Sequence, residues 1–172
     1  MMVTGLAASV LAALPAAAIA AVTLNLVDVS PSAPTLEVVQ TRTIPAPPAA
    51  VWAVIGGFCD LPRWHPRTQA CTLFHGEGRT TRTLYVGGIG SLAEVELDRD
   101  DATMTYSYAL ERGPWPVKRH RATLVVMPHG GGALVTWRAT FRLRGISDDG
   151  AVADIEDLFR SGLAGLARET TR

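Results

Sequence analysis

An excess of charge of either sign is missing from this sequence: 16 Lys and Arg stand against 16 Asp and Glu, so the formal net charge is zero. A chain with no net field has nothing long-ranged to draw in a polyanion, which argues against nucleic acid as a partner. Cysteine is scarce too. Cys59 and Cys71 have no CxxC spacing, and the four histidines form neither an HxxxH pair nor a cluster with them. The spacing of a metal site is therefore absent. No nucleophile elbow, phosphate-binding glycine loop or nucleotide fingerprint occurs either. Gly87-Gly88-Ile89-Gly90 and Gly130-Gly131-Gly132 fall between strand patterns rather than before helices, and read as turns. Neither a metal nor an organic cofactor is expected.

Basic residues are missing from the beginning of the chain, where the first is Arg42, and no charged residue of any kind occurs from Val3 to Val27. That stretch of Ala, Leu and Val is long enough to cross a bilayer or to serve as a signal h-region. Ala16, Ala18 and Ala20 suit a peptidase that cuts after small residues. Without a basic flank the orientation cannot be read. The expectation is export, or membrane attachment through residues 3–27, the alternative being a cytoplasmic protein translated from a downstream start. Export would let Cys59 and Cys71 pair. Cys71 lies in a strand pattern and Cys59 at a helix end, so the simpler reading is two small buried apolar residues. Ser30-Pro31-Ser32-Ala33-Pro34 reads as an extended linker. The organisation is thus an apolar segment over residues 1–27, a linker over 28–35 and one domain over 36–172.

What that domain does contain is strand pattern. Residues 36–44 are rich in β-branched side chains, and Pro45-Ala46-Pro47-Pro48 ends that strand and opens a helix carrying Val51, Trp52, Val54 and Ile55. A short second helix is predicted from Asp60 to Trp64, ended by Pro66. Six strands follow, over 70–74, 80–86, 91–98, 103–112, 117–127 and 133–144. In the last, Val135, Trp137, Ala139, Phe141 and Leu143 alternate with Thr136, Arg138, Thr140, Arg142 and Arg144, so one face is apolar and the other solvated. Val152, Ile155, Phe159, Leu163 and Leu166 then recur at helical spacing, behind a start signal at Ser147-Asp148-Asp149-Gly150. That final helix is the element able to cover the sheet. The fold class is α+β, a curved antiparallel sheet of about seven strands wrapped around a long C-terminal helix.

This order, with Ile44-Pro45-Ala46-Pro47, Val51-Trp52, Trp64-His65-Pro66, Arg82, Glu94, Tyr106-Ser107-Tyr108 and Pro116-Val117, resembles the START-like, or SRPBCC, superfamily of Bet v 1-like helix-grip proteins. Within it the likeness is to the polyketide cyclase/dehydrase and lipid-transport group, over about Leu36 to Arg168. The resemblance implies a cavity between the sheet and the last helix for lipids, polyketides, hormones or other apolar compounds. By similarity to the plant abscisic acid receptors, His65 falls near a cavity lysine that binds a ligand carboxylate, and Glu94 matches a cavity glutamate. Arg82 matches a strand arginine near the mouth. Gly113-Pro114-Trp115-Pro116 falls where relatives carry a mobile loop, and His120 replaces an aromatic placed near it.

Read from the residues alone, each candidate has a plainer alternative. Tyr106 and Tyr108 share a strand face with Met104 and Leu110, which points both rings inward as cavity hydroxyls or as core tyrosines. Histidine at position 65 can donate, accept or act as a general base, or simply satisfy its turn. Around Glu94 the apolar set Ala93, Val95 and Leu97 would send the carboxylate outward unless a bulge intervenes. Arg82 can meet an anionic ligand head or stay in solvent, Trp115 supplies an apolar lid, and Phe159 faces the sheet from the last helix.

Three functions compete on this reading. The first is binding or transport of a small, mostly apolar ligand in the cavity. The second is a cyclase or dehydratase of polyketide-like substrates, with His65 as general base assisted by Glu94 or a tyrosine. The third is an interaction domain whose cavity is filled by its own side chains. Fold does not settle function here, and binding needs only the pocket.

Overall fold

Leu36–Ile44 forms β1, and Pro48–Ile55 forms α1 with proline in its first turn, where the missing N–H costs nothing. The four-residue helix α2, Leu61–Trp64, follows. Then come β2 (Thr68–Gly76), β3 (Arg79–Val86), β4 (Gly90–Asp100), β5 (Thr105–Arg112), β6 (Val117–His129) and β7 (Gly132–Leu143), with the long helix α3 over Asp149–Thr170. The structure, a computed structural model, describes residues 34–144 and 149–172. The segment 3–27 and most of the predicted helix-start signal lie outside the described residues. No described helix is long and apolar enough to cross a membrane.

The seven strands make one antiparallel sheet in the order β1-β7-β6-β5-β4-β3-β2. Because β1 pairs with the last strand, the sheet curls and its two edges are β1 and β2. Tight turns at Gly88 and at Gly130-Gly131, all with positive φ, reverse the chain between β3 and β4 and between β6 and β7. Helix α3 packs on β1, α1, α2 and β7. Its Ile155, Phe159, Leu163 and Leu166 are buried, as the helical spacing predicts.

The predicted face of β7 is the face observed. Trp137 is 1% exposed and Phe141 fully buried, while Arg138 is exposed and Arg142 half-buried. Phe159 stacks on Trp137, with ring centroids 4.1 Å apart and planes 9° from parallel. Two glycines let α3 come this close. A Cβ on Gly165 would stand 2.1 Å from the Trp64 carbonyl oxygen, and one on Gly162 would stand 2.5 Å from the His65 ring. The helix thus gives up about 1 kcal/mol per glycine in propensity to seat the Trp64-His65 turn against its own backbone.

Two expectations need correction. The cysteines are not a pair of independent apolar residues: Cys59 and Cys71 form a disulfide, with Cα atoms 5.6 Å apart. Both are half-buried. The bond ties the α1–α2 connection to the edge strand β2, a proximity that spacing along the chain could not announce. Nor are Ala93, Val95 and Leu97 the inward set of β4, and of the two readings open for Glu94 the inward one is observed. The β3–β4 register runs unbroken, with Leu84 opposite Leu92 and Arg82 opposite Glu94, so Leu92 and Glu94 share the inward face by plain alternation, while Ala93 is half-buried and Leu97 is 42% exposed.

Candidate functional site

On β3, Arg82 shares the inward face with Leu84 and Val86, and across the β3–β4 ladder it stands directly opposite Glu94. Its Nε donates to Glu94 Oε2 at 2.6 Å. Nη2 lies 2.6 Å from the same oxygen, as an ion pair out of hydrogen-bond alignment. Nη1 donates to the Phe58 carbonyl. The guanidinium is also held between rings, 4.1 Å from the centre of Phe58 and 4.7 Å from that of Tyr108. Arg82 is 1% and Glu94 3% exposed, so the pair is wholly inside the protein rather than at its surface. Burial works against the Arg82 charge, but Glu94, Tyr106 and Tyr108 outweigh it and raise its pKa. Burial likewise raises the Glu94 carboxyl, with Arg82 pulling the other way.

This ion pair forms one wall of a hollow between the sheet and α3. The other walls include Leu61, Thr68, Leu84, Leu92, Trp137 and Leu158. Of the residues predicted from sequence, the structure brings His65, Arg82, Glu94, Tyr108, Trp115, His120 and Phe159 to that hollow. Tyr106 is the exception. Its ring is buried one step away, against Trp52 and Phe58, and does not line the space. Two residues along the strand, the Tyr108 hydroxyl accepts a hydrogen bond from Trp137 Nε1 at 3.0 Å. Burial raises the pKa of both phenols. The volume of the hollow is about 10 Å³, room for about one water molecule.

Of the two readings open for His65, the geometry fits the satisfied turn. His65, the expected anchor and base, has both ring nitrogens engaged by backbone. Nε2–H donates to the Leu158 carbonyl at 3.0 Å, and Nδ1 accepts from the Arg67 N–H at 3.1 Å. Burial, opposed by the bond to Leu158, lowers its pKa to about 4. With its lone pair committed, it clamps the α2 turn to α3 and cannot take a proton from a substrate in this arrangement. His120 is 2% exposed and neither ring nitrogen has a partner. Phe141 stacks on it at 6.1 Å, and Trp115 and Tyr108 flank it. Burial lowers its pKa to about 4, so at neutral pH it is an uncharged imidazole with one donor and one acceptor unused.

Thr68 Oγ1 and Trp115 Nε1 are also buried without partners. Orphaned polar atoms of this kind are uncommon in a finished core. Here Thr68, Trp115 and His120 all face the same hollow. Thr68 escaped the sequence reading because it is the only buried position of β2, inward at the residue before a register shift. No periodicity signals such a position. Trp137 was read as core, and its part in the site depends on the Tyr108 bond that only the β5–β6–β7 pairing creates. Among the described residues no three His, Cys, Asp or Glu are grouped to hold a metal ion.

The family described as polyketide cyclase/dehydrase and lipid transport matches residues 35–171. Among solved structures, the protein XoxI of Bacillus cereus is 28% identical, with 78% of this chain and 95% of that one covered and a TM-score of 0.72. An uncharacterized protein from Bacillus thuringiensis is 26% identical over 80% of this chain and 100% of its own, with a TM-score of 0.71. The Zhui aromatase/cyclase of a Streptomyces species has a TM-score of 0.66 at 20% identity, covering 80% and 94%, a likeness of fold. No curated protein matches the chain.

Proposed function

The chain belongs to the polyketide cyclase/dehydrase and lipid-transport family, and on that premise we propose that it binds a small, mostly apolar molecule between the sheet and α3 without making or breaking a bond. The observation that carries this reading is the unpartnered polar lining of an apolar hollow: Thr68 Oγ1, Trp115 Nε1 and both nitrogens of His120, beside the buried Arg82–Glu94 pair. A ligand with one or two polar atoms would satisfy these groups, each of which costs about 1 to 3 kcal/mol while it stays unpaired. The closed hollow is too small for such a ligand. Trp115, between Pro114 and Pro116, is the side chain that moves outward to admit it.

The enzymatic alternative passes from His65 to His120, the histidine with a free lone pair. A base with a pKa of about 4 is poorly matched to work near neutrality, and this favours binding over catalysis. The test is native mass spectrometry of the purified chain, followed by thermal melts with dodecanol. Binding predicts a one-to-one adduct, and stabilisation by about 2.7 kcal/mol when ligand is present at a hundred times its Kd. No adduct and no shift with apolar compounds of graded size would overturn the reading and leave a cavity filled by its own side chains.

A further inference from the structure

A second depression adjoins the hollow. It has a volume of about 160 Å³ and is walled by the loop after β5 and the first residues of β6. Trp115 and His120 line both spaces, so these two buried side chains are the partition between them. Around the outer depression stand Arg112, Lys118, Arg119 and Arg144, all exposed. Among the described residues that line it there is one carboxylate, Glu111, and it is paired with Arg79. Among the described residues, none of the four cations has an ion-pair partner. A molecule with zero net charge thus gathers four cations at one opening, unpaired among the described residues.

The backbone is bent to keep them there. Register between β6 and β7 slips between Lys118 and Arg121, and Arg119 sits at a φ of 55°, in the left-handed region that a long side chain seldom adopts. The slip leaves Lys118 and Arg119 both exposed while His120 turns inward. Strain of this kind persists where the surroundings over-determine it, and it clusters at ligand sites.

Resting on the binding reading above, we propose that the opening selects an anionic head group. The ligand is a single-chain amphiphile whose carboxylate or phosphate stays among Arg112, Lys118, Arg119 and Arg144, while its chain passes between Trp115 and His120 into the hollow. The outer cations supply the specificity and the inner walls the apolar contact.

Calorimetric titration of the full chain with dodecanoate, dodecanol and inorganic phosphate separates the parts of this claim. Dodecanoate should bind about tenfold more tightly than dodecanol, and the preference should shrink in high salt. Arg119→Asn with Arg144→Gln should reduce the preference by about tenfold, asparagine being among the residues that tolerate the left-handed backbone. Arg112→Gln, away from the strained position, should reduce it by roughly threefold. Arg138→Gln on the outer sheet face should leave it intact. Lys118 is the only lysine in the sequence, so its isotopically methylated amine gives one side-chain resonance, which should move with dodecanoate and not with dodecanol. Equal affinity for dodecanoate and dodecanol, indifferent to the variants, overturns the head-group claim and leaves the cavity reading standing. Inorganic phosphate binding as tightly as dodecanoate overturns it in favour of a free-anion site. Binding of neither amphiphile removes the cavity reading, and this claim with it.

Discussion

Arg82 and Glu94 are the least ordinary residues of the interior. A buried ion pair is rarely a net stabiliser, because desolvation of both groups offsets their attraction, yet breaking one leaves an uncompensated charge. Arg82→Met should therefore cost about 3 to 5 kcal/mol, and adding Glu94→Met should restore most of it. Urea denaturation of the single and double variants checks this, and a double variant as unstable as the single would mean that the pair stabilises outright. The free imidazole of His120 makes the second residue-scale prediction. Its folded pKa of about 4 lies below the ordinary 6.5, so its neutral form stabilises the fold above pH 6.5. That stability is lost as pH falls through 6.5 toward 4. The rings of Tyr108, Trp115 and Phe141 flank the imidazole and carry no charge near neutrality; Arg82 and Glu94 share its hollow as an ion pair, and Glu111, Arg112, Lys118, Arg119 and Arg144 line the depression on its other side. Between about pH 7.5 and pH 5, His120→Phe should lose roughly 2 kcal/mol less stability than the parent chain. Parallel pH profiles of the two proteins would refute the assignment.

At the scale of elements, α3 against the sheet decides whether the grip holds. Phe159 is 1% exposed and stacked on Trp137, so it is packed core rather than the lining of an open cavity. Phe159→Ala should destabilise by about 3 to 5 kcal/mol, and a loss below about 1 kcal/mol would mean that the ring faces empty space. The sheet register was legible on β7 because its alternation has no interruption. On β4 it was not. Apolar residues stand on both of its faces, Leu92 beside Glu94 on one and Val95 on the other, and the register shift at Leu97 breaks the pattern further, so local alternation could not say which face the buried Arg82 would meet. Gly165 records the other half of this contact. Gly165→Ala improves helix propensity by about 1 kcal/mol but forces a Cβ onto the Trp64 carbonyl, and overpacking of that kind costs about 1 to 3 kcal/mol or more. A lowered melting temperature is expected, with the His65 clamp loosened. A raised one would mean that the turn yields freely.

For the whole molecule, the Cys59–Cys71 bond joins the helical connection that carries Phe58 to the edge of the sheet. Closing a loop of 12 residues is worth roughly 3 kcal/mol by restricting the unfolded chain. Reduction should lower the unfolding free energy by that amount and the denaturation midpoint with it, and an unchanged midpoint would place the cysteines apart in solution. Such a bond persists in an oxidising compartment, which joins the uncharged segment 3–27 in supporting export or membrane attachment as a proposal. Residues 1–35 fused to a reporter should carry it to the membrane or out of the cell. A reporter that stays wholly cytosolic disposes of that proposal.

By itself the sequence determined the element order, the apolar faces of β7 and α3, the turns at paired glycines and the family. These depend on local periodicity and turn chemistry, which neighbours in sequence set. Only the tertiary structure decided the disulfide, the inward turn of Glu94 onto Arg82, the exclusion of Tyr106 from the hollow and the engagement of both ring nitrogens of His65 but neither of His120. Each turns on which backbone or side-chain group arrives from a distant strand or helix. A histidine with both nitrogens satisfied and one with neither look alike until the chain has folded around them.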